Sequence, residues 1–372
     1  LWQLQVGSLL LNSTKMKVYT KFISIIFFKS LLFVFLVMIS LVFLLNLLSE
    51  LEFFKDLNVD INFTIFLSLL NSPALIFEMF PFLLLITIQL FFIKIFENKE
   101  IEIFKYSGLK NSKILQILGI LSIATGIFVT IIFYNLSSNL KNFYLGLKSN
   151  YTSDGKYLAV ITKNGLWIKD KINDKIIITN SSSINQNFLI ENFITEFDKD
   201  FNVIRNIQSD KIDISNMNWI VLNPKIYQSN NYINKANLYL QTNFDSKRIK
   251  TLYSNLSALS LYELYELRNN YKKLNYSVID IELHLLKILS YPLLLFLIAI
   301  FSSLIMLNIK QVKGTTFKIL LGLFFSVIIY YLNNFSYVLG TTEKLPIIFS
   351  LFLPMFILAF INFMMLYKVN EK

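Results

Sequence analysis

The chain has 372 residues, 55% of them hydrophobic and 16% charged. Its mean hydropathy of +0.55, with 36 phenylalanines, lies outside the usual range of soluble globular proteins. A net charge of +11 raises nucleic acid as a partner, but the lysines sit at the ends of apolar runs, a topology signal and not a binding stripe. With no cysteine, disulfides and thiol chemistry are excluded.

Residues 1–15, "LWQLQVGSLLLNSTK", precede Met16-Lys17, which reads as a natural start, and are set aside as a doubtful extension. Residues 16–135 then carry three apolar runs long enough to cross a hydrocarbon core of about 30 Å. The first runs from Ser30 to Leu48, with Lys21 and Lys29 placed to snorkel at its start. "LNVDINFTIFLSLLNSP" predicts an interfacial helix. A second span follows from Pro73 to Ile95, with Glu78 and Pro81 in its first third, and a third from Ile114 to Tyr134.

Between residues 136 and 280 the chain turns polar. Short alternating runs such as "YLAVITKNGLWIKD", "DKIIITN" and "NWIVLNPKIY" are bounded by Asn, Asp and Gly, which predicts a β-sandwich, one small jelly-roll-like domain. Trp167 and Trp219 are expected in its core. "SLYELYELRNNYKKL" reads as a connecting helix with Leu261, Leu264, Tyr265 and Arg268 on one side. Residues 281–372 return to the membrane, with spans from Ile288 to Ile309, Ile319 to Leu339 and Leu345 to Tyr367. The fold class is thus an α-helical integral membrane protein with six transmembrane helices, three on each side of an inserted all-β domain.

Lysines fix the orientation. Lys15, Lys17 and Lys21, then Lys94 to Lys113 between the second and third spans, then Lys310, Lys313 and Lys318, and finally Lys368 and Lys372, all fall on one side of a six-span chain. That side reads as cytoplasmic with both termini on it, which puts the β domain on the opposite side, the periplasm if the cell is Gram-negative.

One cytoplasmic segment stands out: "ENKEIEIFKYSGLKN", residues 97–111. A helix over about 97–107 places Glu97, Glu100, Ile101, Phe104 and Gly108 on one face, with Gly108 as its terminator. So short a helix, pinned between two spans, has no means of burying that face within itself, and would suit a groove on a soluble ATPase that pushes on the spans. The alternative is a solvated turn with ordinary flanking charges. The chain has no G-x-x-x-x-G-K-[ST] loop, and Gly155-Lys156 lacks the rest of that pattern. If ATP powers this protein, another chain holds the ATP and Mg2+ and hydrolyses it, and this chain binds no cofactor.

Other chemistry is sparse. His284, the single histidine, has neither a second His nor a Cys to complete a metal site, and reads as an interfacial structural residue. Glu78, an acid near hydrocarbon, is open between an interface and a function. No paired intramembrane aspartates, Ser-Lys pair or HExxH motif is present, as a membrane-embedded enzyme acting on lipid or sugar would require.

The order of three spans, a β domain, three spans and a coupling segment resembles the permease subunits of the lipopolysaccharide export system, LptF and LptG, over nearly the whole chain from Met16. "KEIEIFKYSGL" resembles the family's coupling segment, with Glu100 on its glutamate. "KNGLWIKD" (163–170) resembles the Gly-Leu-Trp strand of the LptG branch, as does the run of Pro292, Gly314, Gly322, Tyr330, Gly340, Pro346 and Pro354. The resemblance implies a subunit of an ATP-driven exporter in the bacterial inner membrane. Its partners would be an LptB-like ABC ATPase dimer, a second, LptF-like permease and a single-span LptC-like protein, and its cargo lipopolysaccharide, with no nucleic acid. The family's basic residues for lipid A phosphates have no clear counterpart here: Asn46 stands about where a lysine is expected, and after the third span Lys141 and Lys148 are the candidates. For each lysine a solvated linker is the alternative. The sister permease LptF, and a mechanotransmitting subunit that moves no lipid, remain as rival functions.

Overall fold

Backbone crossing a bilayer must satisfy its own hydrogen bonds, so apolar runs of this length become helices. The computed structural model describes residues 18–57, 59–106, 109–151, 166–172, 175–185, 187–228, 231–246, 249, 255–273, 277–308 and 315–370. The chain divides into two compact units, Leu1–Leu136 with Leu283–Lys372, and Ser137–Glu282.

In the first unit α1 (Val18–Phe53) and α2 (Ile61–Glu97) are followed by the short α3 (Glu100–Tyr106) and by α4 (Asn111–Phe128). A π-helical turn, Val129–Phe133, leads from α4 into α5 (Tyr134–Ser149) without a break. After the inserted unit come α7 (Ile279–Leu289), α8 (Tyr291–Asn308), α9 (Thr315–Thr341) and α10 (Ile347–Asn370), α6 being the connecting helix Leu261–Lys273. Among the described residues six helices are long and apolar enough to cross a membrane.

The predicted interfacial helix and second span are one helix. α2 has 37 residues, about 55 Å at 1.5 Å per residue, and runs through both Pro73 and Pro81. Asp60 caps it by accepting from the Asn62 N–H at 3.2 Å. Pro81 leaves the carbonyl of Phe77, four residues earlier, without its helical donor, and a neighbouring helix satisfies it: Tyr291 Oη donates to Phe77 O at 2.5 Å.

Small residues let α4 and α8 approach each other closely. A Cβ on Gly126 of α4 would lie 2.6 Å from the Cα of Pro292 on α8, and one on Gly119 would lie 2.6 Å from the Phe296 ring. With Ser122 between them, these glycines form a strip where two backbones approach, the common way to pack helices in lipid.

The second unit is an antiparallel sheet of eight strands: β1 (Leu166–Ile172), β2 (Lys175–Asn185), β3 (Phe188–Phe197), β4 (Val203–Asp213), β5 (Asn218–Leu222), β6 (Lys225–Gln228), β7 (Asn231–Asn234) and β8 (Asn237–Gln241). Their order is β1-β2-β3-β4-β5-β8, with β6 pairing β4 and β7. It is a single sheet curled into a half-barrel, not two sheets face to face. Asp170 of β1 ties the two ends of this order together: its Oδ2 accepts from the Asn243 N–H at 2.8 Å and its Oδ1 from Asn243 Nδ2 at 2.7 Å, just past β8. Trp219 is buried and donates through Nε1 to Phe244 O at 2.7 Å. Trp167, expected in the core, is 54% exposed, because Leu166 and Ile168 on either side point inward and strand side chains alternate.

Candidate functional site

The segment between α2 and α4 is built on an unusual turn. Asn98 and Lys99 donate their N–H groups to Lys94 O and Phe96 O, each at 3.1 Å, and Lys99 has φ 55°, a left-handed conformation more common for Gly or Asn. The helix predicted over 97–107 is therefore interrupted. Glu97 is the last residue of α2, Glu100 the first of α3, and the two do not share one helical face.

The face assigned to a partner is half occupied by the chain itself. Ile101 and Phe104 are buried, and the Phe104 ring meets Phe22 of α1 edge-on, with centroids 5.9 Å apart. The start of α1 supplies the cover that the short helix has no length to supply. What α3 leaves outward is Glu102, Ile103 at 63% exposure and Tyr106 at 90%, with Glu97 exposed beside them. Glu100 stands between these surfaces: its Oε1 accepts from Asn98 Nδ2 at 3.3 Å, while its Oε2 is buried with no hydrogen-bond partner among the described residues. The Asn111 Oδ1 at the start of α4 is in the same condition. Gly108 lies outside the described residues. Periodicity could not find Ile103 and Tyr106, since it presumed one helix, and no sequence signal marks the left-handed Lys99.

The two lysines after the third span differ. Lys141 is half-buried and donates to Ser257 Oγ at 2.6 Å. Lys148 is buried, donates to Tyr144 Oη at 2.9 Å and lies 5.3 Å from the centre of that ring. Its ammonium thus lies against Tyr144 and is largely covered by the protein. Asn46, where a basic residue was looked for, faces α2: its Nδ2 donates to Ser68 O and its Oδ1 accepts from Asn71 Nδ2, both at 3.1 Å.

His284 lies 3.1 Å through Nε2 from the hydroxyl of buried Tyr134, directly after the π-helical turn. Glu78 is exposed on α2, close enough to Lys287 for their charges to interact. Among the described residues no three His, Cys, Asp or Glu side chains are grouped to hold a metal ion.

Six helices long and apolar enough to cross a membrane, a curled sheet inserted in sequence between the third and the fourth, and a short helix between the second and third have the architecture of a multi-pass transport subunit. The chain belongs to the lipopolysaccharide export system permease family LptF/LptG, whose model matches residues 22–368. It is a permease of that export system, a multi-pass inner-membrane subunit without a catalytic domain, with lipopolysaccharide as cargo and the Lpt complex as its setting. No curated protein matches it.

Proposed function

We propose that the chain is the LptG-side permease of the exporter, with both termini in the cytoplasm, the curled sheet in the periplasm, and α3 as the helix that receives force from an LptB-like ATPase dimer. The Leu166-Trp167 start of β1, after Gly165, favours the LptG side over LptF, and the lysine distribution favours the orientation. The observation that carries the coupling reading is the division of α3 into a rooted and an open side. Ile101 and Phe104 fasten it to the spans, so a push on Ile103, Tyr106 and Glu102 moves α1 and α2 as well. Glu97 and Glu100 add acidic groups at its start, the buried Oε2 of Glu100 awaiting a donor from the ATPase. ATP and Mg2+ stay in the ATPase, an LptF-like permease completes the cavity, and an LptC-like protein receives the lipid. Lys141, half-buried, is a contact for lipid phosphate.

Affinity purification in mild detergent tests this. Glu100→Lys and Tyr106→Ala should each lower the co-purified ATPase several-fold while the second permease is recovered as before. Unchanged ATPase in both variants would refute docking at α3. Cross-linking from the sheet to the LptC-like chain separates the branches, since the family's bridge leaves through LptF; a strong link from this chain would reassign it.

A further inference from the structure

Three helical runs of the first unit lose their regular bonding at one level. In α2 the cause is Pro81, which leaves Phe77 O to the Tyr291 hydroxyl of α8. Where α7 passes into α8 it is Pro292, which leaves Ile288 O without a helical donor, and Thr130 Oγ1 donates to that oxygen at 3.5 Å. Thr130 belongs to the third irregularity, the π-helical turn Val129–Phe133, after which the Tyr134 N–H reaches back to Val129 O. Phe77 lies about 30 Å from the Glu97 end of α2 at the helical rise. That is the thickness of a hydrocarbon core, so the level is one end of the spans.

Buried rings tie the three together. Phe77 stacks on Tyr291 with centroids 4.8 Å apart and meets Tyr134 at 4.9 Å, and all three are almost fully buried. The Tyr134 hydroxyl and His284 Nε2 are 3.1 Å apart. These last two residues have a particular place in the chain. The first unit ends at Leu136 and resumes at Leu283, so two connections alone join it to the inserted unit. Tyr134 stands just before the first connection and His284 just after the second, and their bond clasps the two.

A π turn holds one residue more than an α turn of similar rise, and recurs at functional sites. Relaxing it to α-helix turns everything beyond it by one residue position, about 100°, and shifts it about 1.5 Å along the axis. Regular helical bonds resist bending. At this level side chains have replaced them in α2 and before α8, and the π turn has rearranged them after α4, so the level yields first when the spans move.

We propose that the π turn and the Tyr134–His284 clasp form a joint, which passes rearrangement of the spans to the inserted unit as a paired turn of α5 and α7. This rests on the reading of the chain as a permease driven by an ATPase.

Deleting Ile132 tests it. Thr130 and Tyr134 stay, and the Tyr134 N–H then meets Val129 O as an ordinary α-helical bond, so the helix runs through without its surplus residue. The variant is purified with its partners and reconstituted in proteoliposomes with lipopolysaccharide. The readout is lipopolysaccharide delivered to the LptC-like acceptor per ATP hydrolysed. ATP hydrolysis should persist while this ratio falls several-fold. A turn needed for packing alone lowers the yield of assembled complex but leaves the ratio parental in what assembles, and that result would overturn the joint. Tyr134→Phe keeps the ring against Phe77 and removes the hydroxyl. It should lower the ratio about twofold, with the ATPase recovered as before, and it decides the question if the deletion variant does not fold. A parental ratio in Tyr134→Phe would overturn the clasp. A parent complex without ATP-driven delivery would sink the ATPase reading and the joint with it, whereas parental ratios in both variants remove the joint and leave that reading standing.

Discussion

α1 and α2 pack along each other, yet they treat their apolar residues in opposite ways. The more apolar of the two, α1, has only 22% of its span buried, against 67% for α2. What α1 buries is a single stripe in steps of three or four residues, Ile23, Phe27, Ser30, Val34, Met38, Val42, Asn46 and Glu50, three of the eight polar. α2 buries Thr64, Ser68, Asn71, Ser72, Thr87 and Gln89 among its larger apolar side chains. In a bilayer a leucine gains little by leaving lipid for protein, so hydropathy no longer ranks the inside from the outside. Small side chains that let backbones approach, and polar ones that need a partner, do so instead.

The comparison breaks if small residues at close contacts prove replaceable. Gly126 and Gly146 lie on the same continuous helix, and a Cβ at Gly126 would collide with the Pro292 backbone whereas one at Gly146 would meet nothing within 4 Å. Gly126→Ala should destabilise the protein by about 1–3 kcal/mol, the usual cost of overpacking, because neither backbone can yield without disturbing the seam. Gly146→Ala should be neutral or stabilise by about 0.5–1 kcal/mol, since alanine forms helix better than glycine. Thermal unfolding of both variants in one detergent reads the difference, and equal midpoints would remove close approach as the organising contact of α4 and α8.

The α1 stripe gives the next smaller effect. Asn46→Leu removes both the bond to Ser68 O and the one from Asn71, and should cost about 1 kcal/mol, typical of polar contacts between membrane helices. Leu45→Ala, one residue away and 60% exposed, should change stability by less than about 0.5 kcal/mol in the isolated chain. A larger loss at Leu45 would show that another protein surface, not lipid, covers that side of α1.

The same physics decides what could be read in the sequence. Span number and the inserted β segment follow from run length and from alternation, which need no tertiary information. The merging of "LNVDINFTIFLSLLNSP" with the span after it does not, because Pro73 and Pro81 signal breaks that only neighbouring groups undo. The placing of Trp167 fails for a local reason, a strand phase set by Leu166 and Ile168. At the coupling segment the apolar pair Ile101 and Phe104 was legible as a pair, but its partner was not: Phe22 is far away in sequence, and periodicity carries no information about which surface covers a face. At Lys148 charge counting gives no hint of Tyr144, one turn earlier, which offers that lysine an aromatic ring and a hydroxyl.

Outside the membrane, charge takes over the role that small residues have within it, and pH is the way to separate the two. Glu282 at the start of α7 accepts from Arg268 Nε at 2.8 Å and lies 3.3 Å from Lys272 Nζ, both on α6. Burial pushes its carboxyl up, but hydrogen bonds and charge from Arg268 and Lys272 outweigh it, and the net shift is downward from the ordinary 4.5. A carboxylate lowered on folding contributes stability that is fully present above its unfolded value, and loses it as pH falls through the folded one. Amide protection in α6, taken relative to the intrinsic exchange rate at each pH, should therefore be high at neutral pH and fall only below about pH 4, near the unperturbed glutamate value. Arg268→Ala should remove most of that pH dependence while leaving exchange in α4 and α8 unchanged, because no titrating pair holds their seam. Asp198, lowered by the Asn202 side chain and then by its backbone N–H, titrates in the same direction in the β3–β4 turn, so only readings resolved by residue distinguish the two. If α6 protection were flat from neutral to acid, apolar contacts through buried Leu264 and Leu267 would be holding the helix instead.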